Sequence, residues 1–168
     1  MSEKFIKLTD GFPVETETIT SSAGAGDAGK IAGLDAGGKW DVSLMPAGVG
    51  VDNIAATASE ALAAGDWINL YLDTTLKARK ADGTTNGKPC HGFVKAAVDA
   101  EATATVYRQG YNTSVTGKTI GAKYFLGLTA GADTATAPST AGNYCQYLGI
   151  ANATTSIMFE ERQGYTRG

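Results

Sequence analysis

Residues 102–108 read Ala-Thr-Ala-Thr-Val-Tyr-Arg. Strict alternation of this kind is the period of a β-strand, with Ala102, Ala104 and Val106 facing one way and Thr103, Thr105 and Tyr107 the other. Runs of the same texture lie on both sides. Trp67 to Leu72 (WINLYL) follows Gly65-Asp66, and Leu76 to Ala81 (LKARKA) ends at Asp82-Gly83. Gly92 to Val98, Lys123 to Leu128, Tyr144 to Ala151 and Ser156 to Glu160 complete the series, with Asn86-Gly87 and several Gly-Ala pairs as punctuation. Short strands separated by turn signals predict an all-β fold, a small β-barrel or β-sandwich. Ala58 to Ala64 (ASEALAA) is the one helical candidate, a turn or two before Gly65. Residues 129–142 (TAGADTATAPSTAG) are low in complexity and read as an exposed loop with Pro138 at a turn.

Upstream of about Asn53 the texture changes. Phe5 to Leu8 is a short apolar run closed by Asp10-Gly11, and Val14 to Thr20 (VETETIT) reads as a strand after Pro13. Residues 21–50 (SSAGAGDAGKIAGLDAGGKWDVSLMPAGVG) carry so many glycines that neither period is sustained. Yet Ile31, Leu34, Trp40, Leu44 and Met45 recur through this stretch, which is unlike an inert linker. Spaced apolar anchors on a segment without a fold of its own predict docking on another surface, because aromatic residues and Met are enriched at interface cores. Phe5, Ile6, Leu8 and Phe12 join them as candidate partner contacts. The organisation read here is an extended N-terminal arm with short strands over 1–52 and a β-rich domain over 53–168.

Composition agrees. The 168 residues include 22 Gly, 27 Ala and 21 Thr, and Leu, Ile, Val and Phe total only 31, about 18% of the chain. A net charge of −3 is too small for a disordered chain. The expectation is a folded domain with a thin core that gains from burying surface against other copies of itself. A pI of about 5.1 argues against nucleic acid as a partner. No apolar run approaches the roughly 20 residues needed to span a bilayer. The N-terminal residues lack the apolar core of a secretory signal. Two cysteines, Cys90 and Cys145, are too few for a disulfide scaffold and point to a reducing cytoplasm.

The candidate reactive motifs are weak. Gly24 to Lys30 (GAGDAGK) comes one residue short of a phosphate-binding loop. Ile31 stands where Ser or Thr would bind magnesium, and the following AGLDAGGKW cannot form the helix whose N-terminus holds the phosphate. His91, the sole histidine, adjoins Cys90, but structural zinc needs four ligands and neighbours on a strand face opposite ways. Glu15 and Glu17 share one strand face among threonines, Glu160-Glu161 precedes Arg162, and Asp27, Asp35 and Asp41 lack calcium-loop spacing. None forms a paired acid–base site. Asn112-Thr113-Ser114 and Asn152-Ala153-Thr154 match the glycosylation pattern without a secretory signal. Most of the aromatic residues within the expected strands, a group that includes Phe125 and Tyr147, read as ordinary core.

Several stretches taken together resemble tailed-bacteriophage structural proteins, in particular the capsid decoration or cement proteins. They are KFIKLTDGFP, AGKIAGLDAGGKWDVSLMPAGVGVD, ASEALAAGDWINLY, ARKADGTTNGKPCHGFVKAAV, TVYRQGYNTSVTGKTIGAKYFLG and TAPSTAGNYCQYLGIA. These are turn and strand signatures, not catalytic ones. Cys90-His91 departs from the small residues expected there. The resemblance implies a small β-rich fold, commonly a homotrimer, bound to the major capsid protein where capsomers meet on the virion surface. It implies assembly in the host cytoplasm, no enzyme activity, no cofactor and no small-molecule substrate. A tail-fibre or baseplate component is the alternative, since phage fibres use similar Gly-rich arms and small β domains.

Overall fold

The alternation at 102–108 is realised as a strand, Thr103–Tyr107, in which Ala104 and Val106 are buried and Thr103 and Thr105 are exposed. The computed structural model describes residues 4–45 and 52–168. The chain forms two units, residues 1–50 and 51–168. Residues 46–51, at the end of the expected arm, lie outside the described residues.

In the first unit, β1 (Lys4–Thr9) and β2 (Phe12–Glu17) form an antiparallel hairpin registered from Lys4↔Glu17 to Thr9↔Phe12. The turn residues Asp10 (φ 53°) and Gly11 (φ 84°) are both left-handed, as a two-residue hairpin with right-handed strand twist demands. The strand expected from Val14 to Thr20 therefore starts earlier and stops at Glu17. Pro13 is tolerated because both strands of a lone hairpin are edges. Beyond it, Ile19 forms a parallel bridge with Ala32, which closes the intervening residues into a loop. Residues 21–45 thus have more local order than their glycine content implies, including short 3-10 turns at Ala25–Asp27 and Val42–Leu44.

The second unit is all-β. Strands β3 (Asn53–Ala58), β4 (Trp67–Leu72), β5 (Leu76–Lys80), β6 (Gly92–Phe93) and β7 (Thr103–Tyr107) close a barrel in the order β3-β5-β4-β6-β7. Its parallel seam is the short pairing of Thr57 with Lys77 and Ala58 with Ala78. Five strands leave a narrow lumen, so small residues fill it. Ala56, Ala58, Ala78 and Ala104 pack there with Leu62, Ile68, Val94 and Val106. The high alanine content thus serves a narrow barrel.

Strands β8 (Gly110–Asn112), β9 (Lys123–Leu126), β10 (Asp133–Thr134), β12 (Tyr147–Ala153) and β13 (Ser156–Phe159) form a second sheet ordered β10-β9-β12-β13-β8. Strands β11 (Tyr144–Cys145) and β14 (Tyr165–Thr166) pair separately. A second core joins barrel residues to this sheet: Trp67 and Phe93 meet Leu126, Leu148, Ile157 and Phe159. Trp67 lies 5.8 Å from Phe93 and 5.3 Å from Phe159 between ring centroids. Because β residues alternate, Trp67 and Phe93 serve this core while their neighbours Ile68 and Val94 fill the lumen. One barrel wall supports both cores, which compensates for few large aliphatic residues.

Several local expectations are corrected. Ala58–Ala64 is not helical: Ala58 ends β3 and Leu62 bridges Val98. Burial of Ala58 and Leu62 in the lumen outweighs a one-turn helix, whose nucleation is costly. The run from Gly92 keeps strand pairing for two residues only. Tyr144 to Ala151 breaks at Gln146 into β11 and β12. The 129–142 stretch is more than an exposed loop, since it contributes β10 to the sheet. Asp133 there is buried in an ion pair with Lys118 at 2.5 Å and accepts a hydrogen bond from Trp67 Nε1 at 3.1 Å.

Candidate functional site: exposed apolar surfaces

Opposite residues of an antiparallel pair share a face, so the hairpin register fixes what each side presents. One face carries Lys4, Ile6, Leu8, Pro13, Glu15 and Glu17; the other carries Phe5, Lys7, Thr9, Phe12, Val14 and Thr16. Lys4 and Glu15 pair at 3.3 Å. The apolar members are strongly exposed: Ile6 is 69%, Leu8 70% and Phe12 73% accessible, while Phe5 is half-buried. Val14, absent from the expected contacts, is also exposed, and its place opposite Lys7 beside Phe12 was readable from the alternation.

The three aspartates spaced through 21–45 explain how a glycine-rich backbone holds its apolar residues outward. Asp27 Oδ2 accepts the Ala23 N–H and its Oδ1 the Lys30 ammonium, both at 2.6 Å. Asp35 Oδ1 accepts the N–H groups of Gly37 and Lys39 at 2.8 Å. Asp41 Oδ1 accepts the Ser43 N–H at 2.9 Å and its hydroxyl at 2.5 Å. Each is a local side-chain turn of the kind short acidic residues favour. The Lys30 hydrogen bond holds the Asp27 carboxyl below its usual range, and the Ser43 hydroxyl does the same for Asp41. With Lys30 committed to Asp27, the phosphate-loop likeness has no free cation. Around these turns Ile31, Leu34, Trp40 and Met45 are exposed, Trp40 by 53%, and Leu44 is half-buried.

A third surface, on the second unit, escaped the sequence reading. The outward face of the five-stranded sheet presents Tyr111, Met158 and Ile150 in register with Lys123. Phe125 and Tyr147 are half-buried on this sheet, with their rings edge-on at 6.0 Å. Arg162 lies 5.3 Å above the Tyr147 ring and pairs with Glu160 at 2.6 Å. Burial, reinforced by Glu160, raises the Tyr147 phenol pKa. The alternation of Lys123 and Phe125 with the buried Tyr124 and Leu126 was the available signal.

The potentially reactive groups are held structurally. Cys90 is fully buried, its Sγ donates to the Gly92 carbonyl at 3.2 Å, and burial pushes its thiol up to about 12. Cys145 is buried and also unbridged. His91 Nδ1 accepts the Leu70 N–H at 3.0 Å. Asn112 is buried and donates to the Gly65 carbonyl at 2.9 Å, whereas Asn152 is exposed. Among the described residues no group of three or more His, Cys, Asp or Glu is placed to hold a metal, and no helix is long and apolar enough to cross a membrane.

No protein-family model matches the chain, and no curated protein sequence matches it. Among solved structures it is similar to the N base of the head fibre gp8.5 of bacteriophage phi29. The sequence identity is 13% and the TM-score 0.45, over 66% of this chain and 95% of that one.

Proposed function

We propose that this chain is a structural protein of a tailed-phage virion that binds the outer surface of the assembled capsid at capsomer junctions and stabilises the shell. The observation that carries the reading is the exposure of Ile6, Leu8, Phe12, Ile31, Leu34 and Trp40 in the first unit. Isolated two-stranded hairpins are marginal in water, and one that is apolar on both faces gains most by docking. The resemblance of the sequence to decoration proteins supplies the partner, the major capsid protein. In this reading the first unit clamps neighbouring shell subunits and the second associates as a homotrimer. Modest contacts engaged together give avidity. Binding to the assembled lattice and not to dispersed subunits stabilises the shell by mass action, about 2.7 kcal/mol per site at a hundredfold excess over Kd.

The test is titration of the full chain onto expanded capsids that lack it. Trp40→Ala is expected to weaken binding by about 2–4 kcal/mol, roughly 30- to 1,000-fold. Unchanged affinity contradicts the role given to Trp40. Gold labelling of intact virions with an antibody to the chain gives the location. Label over the head supports the reading, and label confined to the tail supports a fibre or baseplate role.

A further inference from the structure

Four strands of the second sheet bring one exposed side chain each into a single line. Tyr111 on β8 is opposite Met158 on β13, Met158 is opposite Ile150 on β12, and Ile150 is opposite Lys123 on β9. At about 4.8 Å per strand the line is roughly 14 Å long. Tyr111 is 49%, Met158 36% and Ile150 37% accessible, and Lys123 is exposed. Phe125 and Tyr147 extend the apolar area, and Glu160 neutralises Arg162 at its margin. A contiguous exposed patch of this kind marks an interaction surface.

The order of the line, cation, aliphatic, aliphatic, aromatic, selects an occupant. Rotation about a two-fold axis lying in the face, parallel to the strands and midway between Ile150 and Met158, maps the line onto itself reversed. Lys123 then lies over Tyr111 of the second copy, an ammonium on an aromatic ring, and Ile150 meets Met158. A two-fold across the strands would instead set Lys123 against Lys123, which like charge disfavours. We propose that the outer face of the five-stranded sheet is a two-fold contact between copies of this chain, packed face to face like the layers of a sandwich and separate from the surface that closes the homotrimer, so that it pairs one trimer with another. The contact needs no shell, so it stands or falls separately from capsid docking by the first unit.

The experiment is sedimentation of the full-length chain across a concentration series, with two charge variants, Ile150→Lys and Met158→Glu. Both positions are exposed, and far-UV circular dichroism checks that each variant folds. The wild-type chain is expected to associate beyond the trimer, and each variant alone to take that further step at least about tenfold more weakly. An equimolar mixture should recover association, because the new lysine of one copy faces the new glutamate of the other. Lys123→Glu, at an exposed site, should also weaken association. Indistinguishable sedimentation of wild type and all variants overturns the proposal, as does failure of the mixture to recover. Unchanged self-association with loss of capsid binding in Ile150→Lys would assign the face to the shell and likewise overturn it.

Discussion

Gln146 is buried, and its side-chain amide is fully engaged. Its Oε1 accepts the Cys90 N–H at 2.7 Å, while its Nε2 donates to the carbonyls of Cys90 and Arg162, each at 2.8 Å. The amide thus ties the segment before β6 and the C-terminal segment to the break between β11 and β12. Gln146→Leu keeps the volume but leaves buried backbone groups unpaired, and should cost about 2–4 kcal/mol in urea unfolding. Nothing in Tyr-Cys-Gln-Tyr-Leu announces this role, because the partners lie far away in sequence. In the adjacent Cys90-His91 pair, Cys90 Sγ donates to the Gly92 carbonyl and His91 Nδ1 accepts the Leu70 N–H. Burial lowers the pKa of His91, with Arg108 acting in the same sense and Glu161 opposing. A histidine kept neutral in the fold adds no pH dependence above about pH 7. As pH falls below its unfolded value near 6.5, the unfolded chain takes up a proton that the fold resists, so stability declines. Asp82 acts in a lower window: burial raises its pKa, but hydrogen bonds from Thr84 and Lys88 outweigh that and leave it below 3.8. Its contribution is lost only as pH falls through that lowered value. Melting between pH 7.5 and 5.5 should therefore drop more steeply in the wild type than in His91→Gln.

Strand β12 owes its shape to a bulge. Tyr147 pairs with Phe125 and Gly149 with Tyr124, so Leu148 is the extra residue, and it points into the core. A Cβ on Gly149 would lie 1.9 Å from the Met158 carbonyl oxygen, a contact that requires the backbone to move. Gly149→Ala should destabilise by about 2–4 kcal/mol and broaden the amide spectrum of β12 and β13. Loss below 0.5 kcal/mol would contradict this packing. The strands with clean alternation, Thr103–Tyr107 above all, were legible in the sequence because one face of each meets the core. The failures share a cause. Leu62 and Val98 form a β-bridge between residues distant in sequence, and the strand expected over Tyr144 to Ala151 breaks at Gln146. Long-range pairing overrides local propensity at such points.

At the scale of the whole chain, the proposed anchors Ile31, Leu34, Trp40 and Met45 stand out in the sequence because they are large apolar residues among glycines, and all four are exposed. The outer sheet face does not stand out, because Phe125, Ile150 and Met158 occupy strands that equally suit a core, and only the sheet order shows which side is left uncovered. The role of the exposed hairpin is most directly tested by calorimetry of expanded capsids mixed with the full chain or with Leu8→Asp/Phe12→Asp. Leu8 and Phe12 are at least 70% exposed, so the change spares the chain's own fold. The wild-type chain should bind saturably and raise the melting temperature of the shell, whereas the variant at equal concentration should leave it at the undecorated value. An equal rise with both proteins, or no rise with the wild type, would contradict capsid docking through the exposed hairpin.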